Sequence, residues 1–217
     1  PRRIYVVNAR HGWCETASVA GLAEVADLVL DDIAGPDGVG LEPHAEPLLL
    51  VCTHGRHDAC CAERGRPLAA ALAERWPELT WESSHLGGDR FAANLLTLPD
   101  AHCYGRLSPE DGVRTVGEHL AGRLTLAHHR GHCTVPWPQQ AAEHALRSLL
   151  GLREIGVVEV LAARRDGDRF AVTLTTPGRR YLVELRHEAR APELLTCHAE
   201  RPSGAVHYEL LGIAELA

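Results

Sequence analysis

The chain contains no lysine and no methionine, and all 22 of its cationic side chains are arginine. That bias carries no chemical implication. It has no excess of positive charge either: 29 acidic against 22 basic residues give a formal charge of −7 and a pI near 6.0. Proteins that bind nucleic acid or anionic membranes usually need a net cationic face, so both partner classes are excluded as expectations. No run reaches the roughly 18 apolar residues of a membrane span, and "PRRIYVVNAR" enters a strand-like pattern with no export signal. A cytoplasmic protein is expected, with its seven cysteines reduced and available as ligands. Phosphate loops, nucleotide fingerprints, serine nucleophile elbows, internal repeats and low-complexity tracts are all missing. At 217 residues, 45% hydrophobic and 24% charged, the chain can still bury a sizeable core in one or two domains.

Hydrophobic periodicity gives the outline. Residues 4 to 7 read as a strand and Val19 to Ile33 as an amphipathic helix, which "GPDGVG" ends. LLLVC, after Pro47, is a strand buried on both faces. Pro67 to Trp76 reads as a helix with its proline in the first turn, Leu79 to Glu82 and Ala92 to Leu98 as strands, and "HCYGRL" as the return of a hairpin. Ser108 is placed to cap a helix ending near Leu120, and Gln139 to Leu150 is a further helix. The stretch 122–136 reads as a linker. From Gly156 the alternation predicts an antiparallel sheet with one covered face, "LLTCHA" among its strands. The organisation expected is a strand-helix segment over 1–46, an α/β sandwich over 47–150, and a β-rich C-terminal domain over 151–217.

The chemistry is concentrated in "VCTHGRHDACC" and "SSHLGGDR". Cys52 ends the apolar strand, Cys61 follows across a loop holding Gly55 and Asp58, and His85 stands four residues before Asp89 with Gly87 and Gly88 between. Loops after two parallel strands emerge on one side of a sheet, so these four donors can converge. A Gly-Gly turn lets backbone approach an inorganic core. Thiolates with an imidazole suit either zinc or an iron–sulfur cluster, and spacing does not choose between them.

"CTHGRHDACC", followed by "SSHLGGDRFAANLLTLP" and "YGRL", resembles the sucrase/ferredoxin-like family over 47–150, and more loosely beyond. The resemblance implies a thioredoxin-like ferredoxin core, a mixed sheet flanked by helices, carrying a [2Fe–2S] cluster. Cys52 and Cys61 would hold one iron and His85 the other. The family pattern has a second histidine where this chain has Asp89, which is either a ligand itself or a hydrogen-bond acceptor from His85 or Arg90. In the latter case Cys60, the main rival, His54 or water completes the set. His54, Asp58, Gly87, Gly88 and Arg90 are the expected surroundings.

An electron-transfer protein with a transient redox partner is the first functional reading. A cluster-dependent redox enzyme acting on a small molecule is the second, and a structural zinc module the third. Glu82 and Asp89 are too isolated a pair for glycoside hydrolysis, which needs two flanking carboxylates. Arg56 and His57 could lower the pKa of Cys60 and make it a nucleophile, though no resolving thiol is evident. His128, His129, His132 and Cys133 read as solvated linker residues rather than a metal clip. Trp76 and Trp81 read as core aromatics, Cys14 as packing and Cys103 as a hairpin residue, while Cys197 and His198 should lie on opposite faces of a strand.

Overall fold

The chain opens as a hairpin in the computed structural model, which describes residues 1–56 and 58–217. β1 (Arg2–Asn8) runs antiparallel to β2 (Trp13–Val19), with Arg2 opposite Val19 and Asn8 opposite Trp13. Asn8 shapes the turn by accepting hydrogen bonds from the amides of Arg10 and His11. β3 (Glu42–Pro43) adds a short third strand. The helix expected over 19–33 does not form. Val19 ends β2, and only a 3-10 turn at Leu22–Asp27, without one buried residue, follows. Leu22 and Val29 stay exposed because no partner surface faces them. A helix of this length is marginal in water without such a surface.

β4 (Leu48–Cys52) becomes the buried strand that LLLVC predicts, because it has a neighbour on each side. β5 (Thr80–Ser83) pairs with it in parallel, setting Cys52 opposite Ser83, and β6 (Leu95–Leu98) pairs with it antiparallel. β7 (His102–Tyr104) and β8 (His129–His132) complete a five-stranded mixed sheet in the order β5-β4-β6-β7-β8. The presumed linker thus supplies an edge strand. Its His129 has a polar partner inside the fold: Nδ1 of His102 lies 3.0 Å from Nε2 of His129, both rings buried.

α1 (Ala59–Arg75) begins at the cysteine pair, well before Pro67, which sits inside it. A proline there removes one helix hydrogen bond, and burial of Leu68, Ala69 and Leu72 on the same helix offsets that cost. α2 (Pro109–Leu120) starts where Ser108 predicts, its hydroxyl accepting from the amide of Asp111 at 3.0 Å. α1 packs on β4, β5 and α2, around Leu49, Val51, Leu68, Leu72, Leu95, Tyr104 and Val116. Gly65 and Gly112 permit this closeness, since a Cβ at Gly65 would collide with the carbonyl oxygen of Cys52 and one at Gly112 with Leu68. Trp76 packs against this core, but Trp81, on the sheet's edge strand, is 39% exposed and touches Tyr5 edge-on.

α3 (Trp137–Leu150) packs against a second sheet, formed by β9 (Glu159–Asp166), β10 (Arg169–Thr176), β11 (Arg179–Ala189) and β12 (Val206–Leu216). All its pairings are antiparallel, in the order β12-β11-β10-β9. Ala142 and Leu146 of the helix meet Val172, Leu174, Val183 and Leu185 of the sheet. "LLTCHA" is not a strand: the amide of Ala199 closes a turn on the carbonyl of Thr196. Pro192 and Pro202, which cannot donate to a ladder, flank the segment. The fold is therefore a mixed sheet flanked by helices with a C-terminal antiparallel sheet. No helix among the described residues is long and apolar enough to cross a membrane.

Candidate metal centre

The parallel pairing of β4 with β5 sends the loops that follow them out of the same sheet edge. The first loop is short and internally bonded. The amide of Asp58 donates to the carbonyl of His54 and that of Cys61 to the carbonyl of Asp58, which starts α1 with Cys60 and Cys61 in its first turn. The second loop passes Gly87 and Gly88, at φ 83° and 74°, into a 3-10 turn at Asp89–Phe91. A left-handed pair of this kind is available to glycine at little cost. Asn94 fixes the loop: its side-chain amide donates to the carbonyls of Gly87 (3.3 Å) and Gly88 (2.9 Å), and its own carbonyl accepts from the amide of Cys52.

Donor atoms of Cys52, Cys61 and His85 consequently lie within 4.8 Å of one another. Both cysteines are fully buried, while the His85 side chain is 29% exposed at the rim. Asp89 joins them. Its Oδ1 lies 3.4 Å from Sγ of Cys61, which donates to it, and 3.3 Å from Nδ1 of His85. Leu86 and Ala92 pack on the cysteines and keep water off the sulfurs. Burial first, then Cys52 and the Asp89 carboxylate, push the Cys61 thiol well above its ordinary pKa. Two thiols and an imidazole within 4.8 Å of one another, with a carboxylate touching two of the three, at the N-terminal end of α1, form a donor set that suits a metal or an iron–sulfur core. The helix dipole favours the negative charge such a set carries.

Cys60 turns elsewhere. Neighbours on a helix point about 100° apart, a consequence of 3.6 residues per turn, and the Cys60 donor atom groups with those of Asp58 and Cys197, again within 4.8 Å. Its thiol also lies 3.4 Å from the carbonyl of Asp89. Burial, then Cys197 and Asp58, push its pKa up to about 12, opposite to the lowering expected from nearby positive charge. His57, half of that expectation, lies outside the described residues. The Cys197 amide donates to Oδ2 of Asp58 at 3.0 Å. Burial disfavours the Asp58 carboxylate, but bonds from Cys197 and Cys60 outweigh it and hold the pKa below its ordinary value.

Sequence reasoning missed Asn94 and Cys197. An asparagine entering a strand is uncommon enough to have drawn notice. Cys197 is remote in sequence and offered no signal. The tract 128–133 belongs to neither donor group. His128 lies 3.2 Å from the carbonyl of Gly105, His132 contacts the Thr134 hydroxyl, and His129 pairs with His102.

A cationic patch adjoins the second loop. The guanidinium carbons of Arg90, Arg106 and Arg130 lie 4.6, 5.2 and 2.9 Å from the ring centre of Phe91. None of the three pairs with a carboxylate among the described residues. Burial, then Arg90 and Arg106, pull Arg130 down to about 10. Beside this patch a cavity of about 1000 Å³ reaches from Gly87 and Asp89 past Tyr104 and His129 to Trp137 and Tyr208.

Fold and site together define an α/β protein with a thiol, imidazole and carboxylate donor set at the rim of a mixed sheet. The chain belongs to the sucrase/ferredoxin-like family, whose model matches residues 5–131. Among solved structures it is similar to a cysteine-to-serine variant of the thioredoxin-like [2Fe–2S] ferredoxin from Aquifex aeolicus. That likeness is 20% in sequence identity, covers 40% of this chain and 99% of that one, and has a TM-score of 0.36. No curated protein matches the chain.

Proposed function

We propose that Cys52, Cys61, His85 and Asp89 hold a [2Fe–2S] cluster and that the protein acts in electron transfer. The observation that carries this reading is the convergence of three donors within 4.8 Å, with Asp89 in contact with two of them. Family membership agrees with it. A bound cluster supplies one-electron chemistry, at a potential set by its ligands, hydrogen bonds and exposure. The chain's own residues supply the rest. Cys52 and Cys61 anchor the site in the buried end of the sheet, and Leu86 and Ala92 exclude water. His85 stands at the rim, where an electron would enter or leave by the shortest path. Arg90, Arg106 and Arg130 offer an acidic protein partner a place to dock beside that rim, in the small and transient interface typical of redox pairs.

The cavity beside Gly87 and Asp89 favours one other reading, a redox enzyme that brings a small molecule to the same site. Turnover of candidate substrates by the reduced protein distinguishes it from a pure carrier. The test of the first reading is anaerobic purification with iron and sulfide analysis and optical and paramagnetic spectra. About two irons and two sulfides per chain are expected, lost together in Cys52→Ser and His85→Ala. A colourless protein that retains zinc overturns the proposal.

A further inference from the structure

We infer that Asp58, Cys60 and Cys197, with His198 beside them, form a second metal site for a thiophilic divalent ion of the zinc type, separate from the four residues assigned above. The donor atoms of the first three lie within 4.8 Å of one another. The Nδ1 of His198 is 4.0 Å from Oδ1 of Asp58. Ligand bonds of about 2.0 to 2.3 Å in a tetrahedron place donor atoms about 3.3 to 3.8 Å apart. Small side-chain adjustments on the exposed turn that carries Cys197 would close that gap.

A second, independent observation points to a ligand. The Asp58 side chain is 1% exposed, and its Oδ1 accepts no N–H or O–H hydrogen bond among the described residues. A buried carboxylate oxygen so placed is costly unless a cation or donor compensates it. Two thiols with a carboxylate and an imidazole are a mixed set of the kind zinc accepts. The helix explains why there are two sites. Cys60 and Cys61 are adjacent in the first turn of α1, so one thiol faces Cys52 and the other faces Cys197. An ion here would clamp the segment between β11 and β12 onto the helix that carries Cys61.

The test uses the full chain carrying Cys52→Ser and His85→Ala, so that its readout does not depend on iron or sulfide. Cobalt(II) is titrated as a spectroscopic probe, then displaced by zinc in the presence of a chromophoric chelator. One equivalent of cobalt with a thiolate-to-metal charge-transfer band is expected. Adding Cys197→Ser, on an exposed turn where folding should be unaffected, should weaken binding at least tenfold, and Cys60→Ser should do the same. Equal cobalt binding with and without Cys197→Ser overturns the inference, as does a Cys60–Cys197 disulfide found by thiol alkylation and mass spectrometry in the anaerobically isolated protein. Loss of iron and sulfide on introducing Cys197→Ser alone also overturns it, because the thiol would then serve the first site. Failure of the iron–sulfur proposal leaves this outcome unaffected, since no step of the titration reads the cluster.

Discussion

A carboxylate at position 89 enters a pocket that already holds two buried thiols, and its Oδ1 touches both Cys61 and His85. Carboxylates are harder ligands than imidazoles, and an anionic ligand stabilises the oxidised state of an iron centre more than a neutral one does. With Asp89 a ligand of the proposed cluster, Asp89→His should therefore keep that cluster and raise its midpoint potential, while Asp89→Ala should lose it at least tenfold faster under a chelator. Voltammetry and the decay of visible absorbance check the pair. An unchanged potential in Asp89→His would remove Asp89 from the ligand set. Positions 52, 85 and 89 stood out in the sequence because each lies beside a strand end or a glycine turn, and Cys61 because it closes the cysteine-rich stretch that opens α1. The division of labour between Cys60 and Cys61 was not, because two adjacent cysteines look alike until a helix turns them apart.

At the level of elements, the site depends on how closely α1 approaches the end of β4. Gly65 faces the Cys52 carbonyl with no room for a methyl group. Gly65→Ala should cost about 1 to 3 kcal/mol, the usual penalty of overpacking, and should also speed loss of the proposed cluster, because the displaced helix carries Cys61. Urea unfolding followed by circular dichroism measures the first effect, and a wild-type midpoint would contradict the packing argument. The elements read correctly were those whose own residues announce them: LLLVC, an unbroken apolar run, and the capped helix after Ser108. Those misread depended on distant partners. The stretch 19–33 has helical spacing but nothing to bury against, and "HHRGH" looks solvated until the His102 ring pairs with it.

Over the whole molecule, two charge distributions have measurable consequences. His102 and His129 pair inside the first core, beside His119, whose Nε2 lies 2.9 Å from Asp100. Burial above all holds His102 down to about 4 and His129 down to about 2. A base whose folded pKa is depressed binds its proton more readily in the unfolded chain, so its contribution to stability is present above about pH 6.5 and is lost on acidification toward the folded value. His102 alone should remove about 2 kcal/mol between pH 7 and pH 5. Asp100, held below its ordinary pKa because bonds from His119 and Thr97 outweigh its burial, acts in the same direction at lower pH. Denaturant unfolding at the two pH values tests this, and equal stability would refute it. The second distribution is the arginine group around Phe91, on a chain of net charge −7. Charge reversal in Arg90→Glu should slow reduction by an acidic redox protein about tenfold at low salt and flatten its salt dependence, since such patches act mainly on encounter rates. An unaltered rate would place docking elsewhere.

The sequence by itself determined the mixed α/β core and the antiparallel C-terminal sheet, and it marked the thiol, imidazole and carboxylate residues that follow two of the strands, because burial pattern, capping and side-chain chemistry are local properties. Only the tertiary structure decided which thiol faces which partner, that Asn94 pins the glycine loop, and that Cys197 comes to Asp58. Those contacts join residues far apart along the chain, and the packing of helices and turns settles them, with no local pattern to announce them.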